Sequence, residues 1–220
     1  MARLRCAVLI SGRGSNLEAL MHACAKKDFP AEIALVVSNR ADAGGLAHAA
    51  RAGIASTVIP HRDYSRREAF EAALTRTLEA AGIELICLAG FMRLLTAGFV
   101  DHWRDRVINI HPSLLPGFPG LDTHARALAE GVRFAGCTVH FVRTEMDHGP
   151  IIVQAAVPVL QGDDEHALAA RVLTAEHRAY PLALKLIGEG RVKVVGERTE
   201  IADISSGAPI LLNPADDQRA

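Results

Sequence analysis

Arg5–Ile10, RCAVLI, runs without a break into Ser11-Gly12-Arg13-Gly14-Ser15-Asn16-Leu17. An apolar run, a glycine corner and the start of a helix-period segment, in that order, form the opening unit of a doubly wound α/β fold. Within Ser15–Lys27, residues Leu17, Leu20, Met21 and Cys24 recur at i, i+3, i+4 and i+7, an apolar stripe that must face a core. Ser15 followed by Glu18, and Ser65 followed by Glu68, predict capping boxes at two helix starts. Further strands are expected at Glu32–Ser38, Ser56–Ile59, Leu85–Ala89 and Val107–Ile110, and further helices at Gly45–Ala52 and Ser65–Ala81. Such alternation means a parallel sheet with helices on both faces. Right-handed crossovers then gather the C-terminal ends of its strands along one edge.

Beyond residue 110 the pattern changes. A short helix is expected at Thr123–Glu130. Two strands, Cys137–Val142 and Ile151–Val157, flank the segment 143–150 and are placed to pair antiparallel, which makes the sheet mixed. A long helix, Asp163–Glu189, follows; Pro181 is expected to kink it or to end its first half. Arg191–Val195 and Arg198–Ile201 read as a terminal hairpin around Gly196, and the polar, proline-containing end from about Ser205 reads as a mobile tail. The fold class is therefore α/β and Rossmann-like: a mostly parallel twisted sheet flanked by helices, with an antiparallel C-terminal extension.

The composition narrows the function classes. In 220 residues half are apolar and the net charge is −1, a balance that gives no support to nucleic acid as a partner. No apolar run reaches the roughly 18 residues of a membrane span, and the apolar start leads directly into the glycine corner, as a first buried strand does and a signal peptide does not. Cys6, Cys24, Cys87 and Cys137 are widely spaced and form no CxxC pair. Reduced, packed thiols and a cytoplasmic location are the default expectation. Ten histidines appear without an HExxH pattern or a His–Cys cluster, so no metal is expected.

The glycine corner resembles a dinucleotide fingerprint, but its third glycine position is Leu17. The second strand ends in Ser38-Asn39-Arg40, not in an acid for a ribose, so a nicotinamide cofactor is disfavoured. No Gly-Lys-Ser/Thr follows, so it is not a Walker loop. It reads as a cradle for one phosphate at Gly14, Ser15 and Asn16, built from backbone amides at a helix start. A tight turn with an ordinary cap is the alternative.

Asn109-Ile110-His111 carries the chemistry. In an extended strand Asn109 and His111 face one side, so an amide donor sits beside a titratable imidazole. A distant acid, Asp147, is placed to meet the imidazole in the fold and hold it protonated. Such a trio suits a reaction in which charge develops on a carbonyl oxygen and a proton moves. No Ser or Cys stands in a nucleophile context, which favours direct transfer over a covalent intermediate. The following loop, with Pro112, Pro116, Pro119, Gly117 and Gly120, is rigid and irregular and lies at a strand end, where α/β proteins keep their sites. Turn and capping roles are the alternative for these residues.

Five stretches together resemble the phosphoribosylglycinamide formyltransferases, within the wider group that uses 10-formyltetrahydrofolate. They are SGRGSN at 11–16, LAGFMRLL at 88–95, INIHPSLLP at 108–116, TVHFV at 138–142, and Glu176-His177. The similarity runs from about Leu4 to Arg191. It implies transfer of the formyl group of 10-formyltetrahydrofolate, the co-substrate, to the amine of 5-phosphoribosylglycinamide, a step of purine biosynthesis. It implies that Asn109, His111 and Asp147 are catalytic: His111 as proton donor, Asn109 as donor to the carbonyl oxygen, and Asp147 raising the imidazole pKa. Gly14, Ser15, Asn16, Leu173, Thr174 and Glu176 would bind the phosphoribosyl substrate, Glu176 through the ribose hydroxyls. Leu173 stands where relatives often carry Lys or Gln, and it cannot donate a hydrogen bond. Arg67, Met92, Arg93, Leu94, Leu95, Asn109, Val142, Arg143, Thr144 and Asp147 would bind the folate, Arg67 on its glutamate tail. A cis Leu115–Pro116 bond is also implied.

The resemblance further implies one formyltransferase domain over residues 1–204, with a phosphate-binding half at about 1–105, a folate-binding and catalytic half at about 106–204, and residues 205–220 as the tail. The expected partners are small-molecule substrates only, with neither nucleic acid nor membrane, and the protein is expected to act as a monomer or homodimer. A formyltetrahydrofolate hydrolase and a non-catalytic phosphometabolite-binding protein are the alternative functions. The hydrolases add an N-terminal regulatory domain, and the methionyl-tRNA formyltransferases lack the phosphate loop and add a C-terminal RNA-binding domain.

Overall fold

A computed structural model describes residues 2–203 and 213. The apolar run at the start forms β1 (Leu4–Ile10), and helix α1 (Ser15–Cys24) leaves the glycine corner behind it. There follow β2 (Ala31–Ser38), α2 (Gly45–Arg51), β3 (Ser56–Val58), a 3-10 turn at His61–Asp63, α3 (Arg67–Ala80), β4 (Leu85–Leu88), α4 (Ala97–His102) and β5 (Val107–His111). The second part consists of α5 (Thr123–Ala129), β6 (Phe134–Phe141), β7 (Ile151–Pro158), α6 (Glu165–Gly188), β8 (Val192–Val195) and β9 (Arg198–Ile201).

Seven strands make one sheet in the order β3-β2-β1-β4-β5-β6-β7, with β8 and β9 as a separate pair. The first five strands are parallel; β6 runs antiparallel to both β5 and β7. Strand order reverses between β1 and β4, and at such a switch point the outgoing loops diverge and leave a crevice. Alternation along β1 feeds two cores. Cys6, Val8 and Ile10 pack with Leu17 and Leu20 of α1 and with Leu168, Val172 and Leu184 of α6. Ala7 and Leu9 pack on the other face with Phe70, Leu74 and Leu78 of α3, with Phe99 of α4 and with Trp103 at its C-terminal cap. All four cysteines are free and buried, and burial pushes the Cys24 and Cys137 thiols up to about 12.

Several expectations are corrected. Neither capping box forms. Gly14 occupies the cap of α1 in the left-handed region (φ 83), so Ser15 already lies inside the helix. Arg66, not Ser65, caps α3. Only a glycine fits at position 14, because a Cβ there would lie 2.6 Å from the Gly45 Cα. The helices with side-chain caps are α4, where Thr96 accepts from the Phe99 N–H, and α6, where Asp164 accepts from the Ala167 N–H at 2.8 Å. Helix α4 is not foreseen by the periodicity; its six residues are too few to display one. Pro181 does not end α6, which runs unbroken over 24 residues from Glu165 to Gly188. The proline lacks the N–H that would reach the His177 carbonyl. Buried neighbours on either side (Ala179, Tyr180, Ala183, Leu184) hold the helix in place, and the Tyr180 hydroxyl sits between the Leu88 carbonyl (2.9 Å) and the Ile108 carbonyl (3.2 Å). Strand β6 begins three residues earlier than expected, and α1 ends three residues sooner. The Leu115–Pro116 bond is cis. The tail expected from about Ser205 lies outside the described residues, apart from Asn213.

Candidate active site

The site is assembled where β1, β4 and β5 end. Ser11 joins the loops there: its N–H donates to the Gly90 carbonyl, its hydroxyl donates to Asn39 Oδ1 at 2.6 Å, and its oxygen accepts from the Met92 N–H at 2.9 Å. On one side, α1 starts with no side-chain cap, so the first-turn N–H groups of Ser15, Asn16 and Leu17 remain directed at whatever lies beyond the helix start. Asn16 Nδ2 donates to Glu176 Oε2 at 2.6 Å, tying the glycine corner to α6. Glu176 is buried, and burial raises its carboxyl pKa against the opposing pull of that amide. Asn16 Oδ1 is buried and has no partner among the described residues. Leu173 is half-buried. Thr174 is exposed, and its hydroxyl donates back to the Ala170 carbonyl of its own helix.

On the other side, β5 presents Asn109 and His111. His111 Nδ1 lies 3.3 Å from Asp147 Oδ1, and His111 Nε2 lies 3.0 Å from the Phe118 carbonyl. Both ring nitrogens face acceptors, which is the environment of an imidazolium. Burial alone would lower the His111 pKa; the Asp147 hydrogen bond, the Phe118 carbonyl and the charges of Asp147 and Glu176 outweigh it and raise the pKa. Asp147 shows the mirror balance. Burial works to raise its pKa, but the bond to His111, the Gly120 N–H at 2.7 Å and the charges of His111 and His140 bring it below the ordinary value. The sequence brings Asp147 there through a tight loop. Asp147 has φ 53, the Arg143 N–H donates to the His148 carbonyl across the neck, and Gly149 (φ 133) lies so near that a Cβ would be 1.9 Å from the Phe141 carbonyl oxygen.

The proline-rich loop is fixed equally tightly. The Thr138 hydroxyl donates to the Ser113 carbonyl and accepts from the Leu115 N–H, and the Ser113 hydroxyl donates to the Gly117 carbonyl at 2.6 Å. Arg126 holds the far end of the loop through the Pro119 and Leu121 carbonyls and lies over the Phe118 ring. The loop therefore delivers the Phe118 carbonyl and the Gly120 N–H to the His111–Asp147 pair.

His140 is the site residue that the sequence reading missed. It lies opposite Asn109 in the β5–β6 register, with its Nε2 3.4 Å from Asn109 Nδ2. Burial lowers the His140 pKa, and Nδ1 donates to the Phe141 carbonyl at 3.0 Å, so Nε2 carries a lone pair. That lone pair sets the amide flip of Asn109: Nδ2 faces His140, leaving its second hydrogen for a ligand. Strand register was the missing signal, because it depends on which strand pairs with β5.

The residues expected to contact folate separate into groups. Arg67 and Arg93 line one cleft of about 530 Å³ together with His61, Tyr64, Arg66 and Thr96. Arg93 Nε is buried without a partner among the described residues. A donor in that state calls for an anionic ligand. Met92 and Leu94 are exposed (70% and 57%), apolar surface that a flat ligand would cover, whereas Leu95 and Val142 pack on the second core. Thr144 is exposed. The Arg143 guanidinium is engaged by Asp105 and Glu197. Among the described residues, no group of three or more His, Cys, Asp or Glu is placed to hold a metal ion, and no helix is long and apolar enough to cross a membrane.

An α/β fold whose sheet edge carries an uncapped helix start, an imidazole–carboxylate pair and a strand-borne amide offers the parts of a group-transfer site. The chain belongs to the formyl transferase family, which it matches over residues 4–184. It is 46% identical to the phosphoribosylglycinamide formyltransferase of Escherichia coli (strain K12), over 85% of this chain and 88% of that one. Its fold superposes on the glycinamide ribonucleotide transformylase 1 of Symbiobacterium toebii with a TM-score of 0.89 and 49% identity, over 91% of this chain and 95% of that one. It is also 54% identical, over 89% of its length, to the trifunctional purine biosynthetic protein adenosine-3 of Drosophila pseudoobscura pseudoobscura, of which it spans only 14%.

Proposed function

We propose that the protein transfers the formyl group of 10-formyltetrahydrofolate to the amine of 5-phosphoribosylglycinamide, giving formylglycinamide ribonucleotide and tetrahydrofolate. The observation that carries this reading is the His111–Asp147 pair, held at 3.3 Å beside an Asn109 amide whose flip His140 dictates.

Gly14, Ser15 and Asn16 hold the phosphate through first-turn amides, and Glu176 orients the ribose hydroxyls. This remote binding positions the amine. Arg67 and Arg93 take carboxylates of the folate tail, and Met92 and Leu94 cover its apolar part. As the amine nitrogen bonds to the formyl carbon, the formyl oxygen becomes anionic. Asn109 Nδ2 and the His111 imidazolium donate to it. His111 Nε2 already faces a neutral acceptor, the Phe118 carbonyl, and an oxyanion outcompetes such a group. His111, or a water beside Asp147, carries the proton lost by the amine to N10 as the bond between the formyl carbon and N10 breaks.

The same reading divides the chain into a phosphate-binding half at about 1–105 and a folate-binding and catalytic half at about 106–204. It takes the protein to be cytoplasmic, a monomer or homodimer, acting on small molecules without nucleic acid. A net charge of −1 and four free, buried cysteines support this.

Absorbance-monitored turnover of 10-formyltetrahydrofolate, with and without the phosphoribosyl amine, tests the reaction. Turnover should require the amine. Formate release in its absence would mean a hydrolase, and intact substrates would mean a binding protein.

A further inference from the structure

The Asp147 loop is anchored from outside the site. Arg143 stands at its root, with a side chain only 9% exposed. Every guanidinium nitrogen is bonded: Nη2 to Asp105 Oδ1 at 2.8 Å, Nε to Glu197 Oε2 at 2.9 Å, and Nη1 to the Val142 carbonyl at 3.2 Å. Glu197 lies in the turn between β8 and β9, and its other oxygen accepts from Arg104 Nη2 at 3.2 Å. Asp105 (φ 56) sits two residues before β5, the strand that bears Asn109 and His111. Three stretches far apart in sequence therefore meet on one guanidinium: the lead-in to the catalytic strand, the root of the Asp147 loop and the tip of the terminal hairpin. Two more ties run beside them. The Val142 N–H donates to the Val107 carbonyl, and the Thr199 hydroxyl of β9 donates to the Ile151 carbonyl.

We propose that the β8–β9 hairpin is a clasp on the active site, with Glu197 and Arg143 as positioning residues that hold the Asp147 loop in register with His111. The inference rests on the roles given to Asp147 and His111 above. Isolated surface ion pairs contribute little. This one differs because the Arg143 side chain is only 9% exposed, each of its nitrogens is bonded, and two carboxylates from separate elements share it. Without Glu197, Arg104 and Arg143 lose the carboxylate that they share. Without the Arg143 side chain, the loop neck keeps its backbone bonds to His148, Val107 and Pro150 but loses its ties to Asp105 and Glu197.

The test compares Arg143→Ala, Glu197→Gln, the double variant and Asp147→Asn. For each, kcat, the KM for either substrate, the melting temperature and the basic limb of the pH–rate profile are measured. That limb reports on His111, which is faced by Asp147, Glu176, His124 and His140. Arg143→Ala should lower kcat about 3- to 30-fold, the range of positional coupling. It should also move the basic limb toward that of Asp147→Asn while leaving the KM for the phosphoribosyl substrate unchanged. Glu197→Gln should do the same to a smaller extent, and the double variant should be no worse than Arg143→Ala. A lower melting temperature with kcat and the basic limb unchanged in both single variants would overturn the clasp. If Asp147→Asn itself leaves the limb in place, the roles assigned to the site fail, and the clasp fails with them.

Discussion

The two walls of the cleft are built in opposite ways. The glycine corner is local: seven consecutive residues, 11–17, directly after the end of β1, supply a left-handed glycine and the first turn of a helix, and its donors are mostly backbone. The His111 wall is assembled from β5, β6, the proline-rich loop and the Asp147 loop, and its donors are side chains set by other side chains. A backbone cradle gives binding that tolerates change around it. A side-chain assembly gives charge control and fails when any member moves.

Changes at the assembled wall should therefore have the largest effects. In the proposed mechanism Asn109→Ala removes one oxyanion donor, and it should lower kcat about 100- to 1000-fold. Steady-state kinetics with a near-normal kcat would show that this wall does not bear the reaction. Asp147→Asn should also lower kcat strongly while both substrates still bind, which isothermal titration can check.

The pH dependence has a definite sign. The His111 pKa is raised above 6.5 and the Asp147 pKa is lowered below 3.8, so the ion pair is at full strength between those ordinary values. Its contribution to stability is lost as pH rises through the raised His111 value, and lost again as pH falls through the depressed Asp147 value. Activity that needs the imidazolium should decline on the same basic limb. In Asp147→Asn that limb should move to lower pH, and a pH–rate profile that stays in place would disconnect the pair from catalysis.

At the local wall a smaller and more selective effect is expected. Asn16→Ala deletes the bond to buried Glu176 and should raise the KM for the phosphoribosyl substrate about tenfold, the worth of one hydrogen bond to a charged group. The KM for the folate co-substrate should change far less; the reverse order would place the phosphate elsewhere. Smallest is Tyr180→Phe, which lies behind both walls. Loss of a buried hydroxyl that serves the Leu88 and Ile108 carbonyls should cost about 1 kcal/mol and lower the melting temperature by about 2–4 °C, with kcat nearly intact. Calorimetry alongside an activity assay separates the two readouts.

The strand–helix alternation, the mixed sheet and the glycine corner were legible because hydrophobic periodicity and turn chemistry act over neighbouring residues. The capping boxes at Ser15 and Ser65 misled for the same reason. A local pattern cannot register that a Cβ at position 14 would come within 2.6 Å of the Gly45 Cα, a close approach that keeps a glycine at the cap of α1. Pro181 does not end the helix, because packing on Tyr180 and Leu184 overrides a backbone preference of a few kcal/mol.

By itself, then, the chain determined which residue types stand on which strands, since the period-2 alternation of β5 puts Asn109 and His111 on one face whatever lies around them. Tertiary structure alone decided that His140 sets the amide, that Phe118 and Gly120 complete the ion pair, and that Arg143 is held by Asp105 and Glu197. Those contacts join residues 7 to 54 positions apart, through strand register and loop closure, and no local propensity encodes such distances.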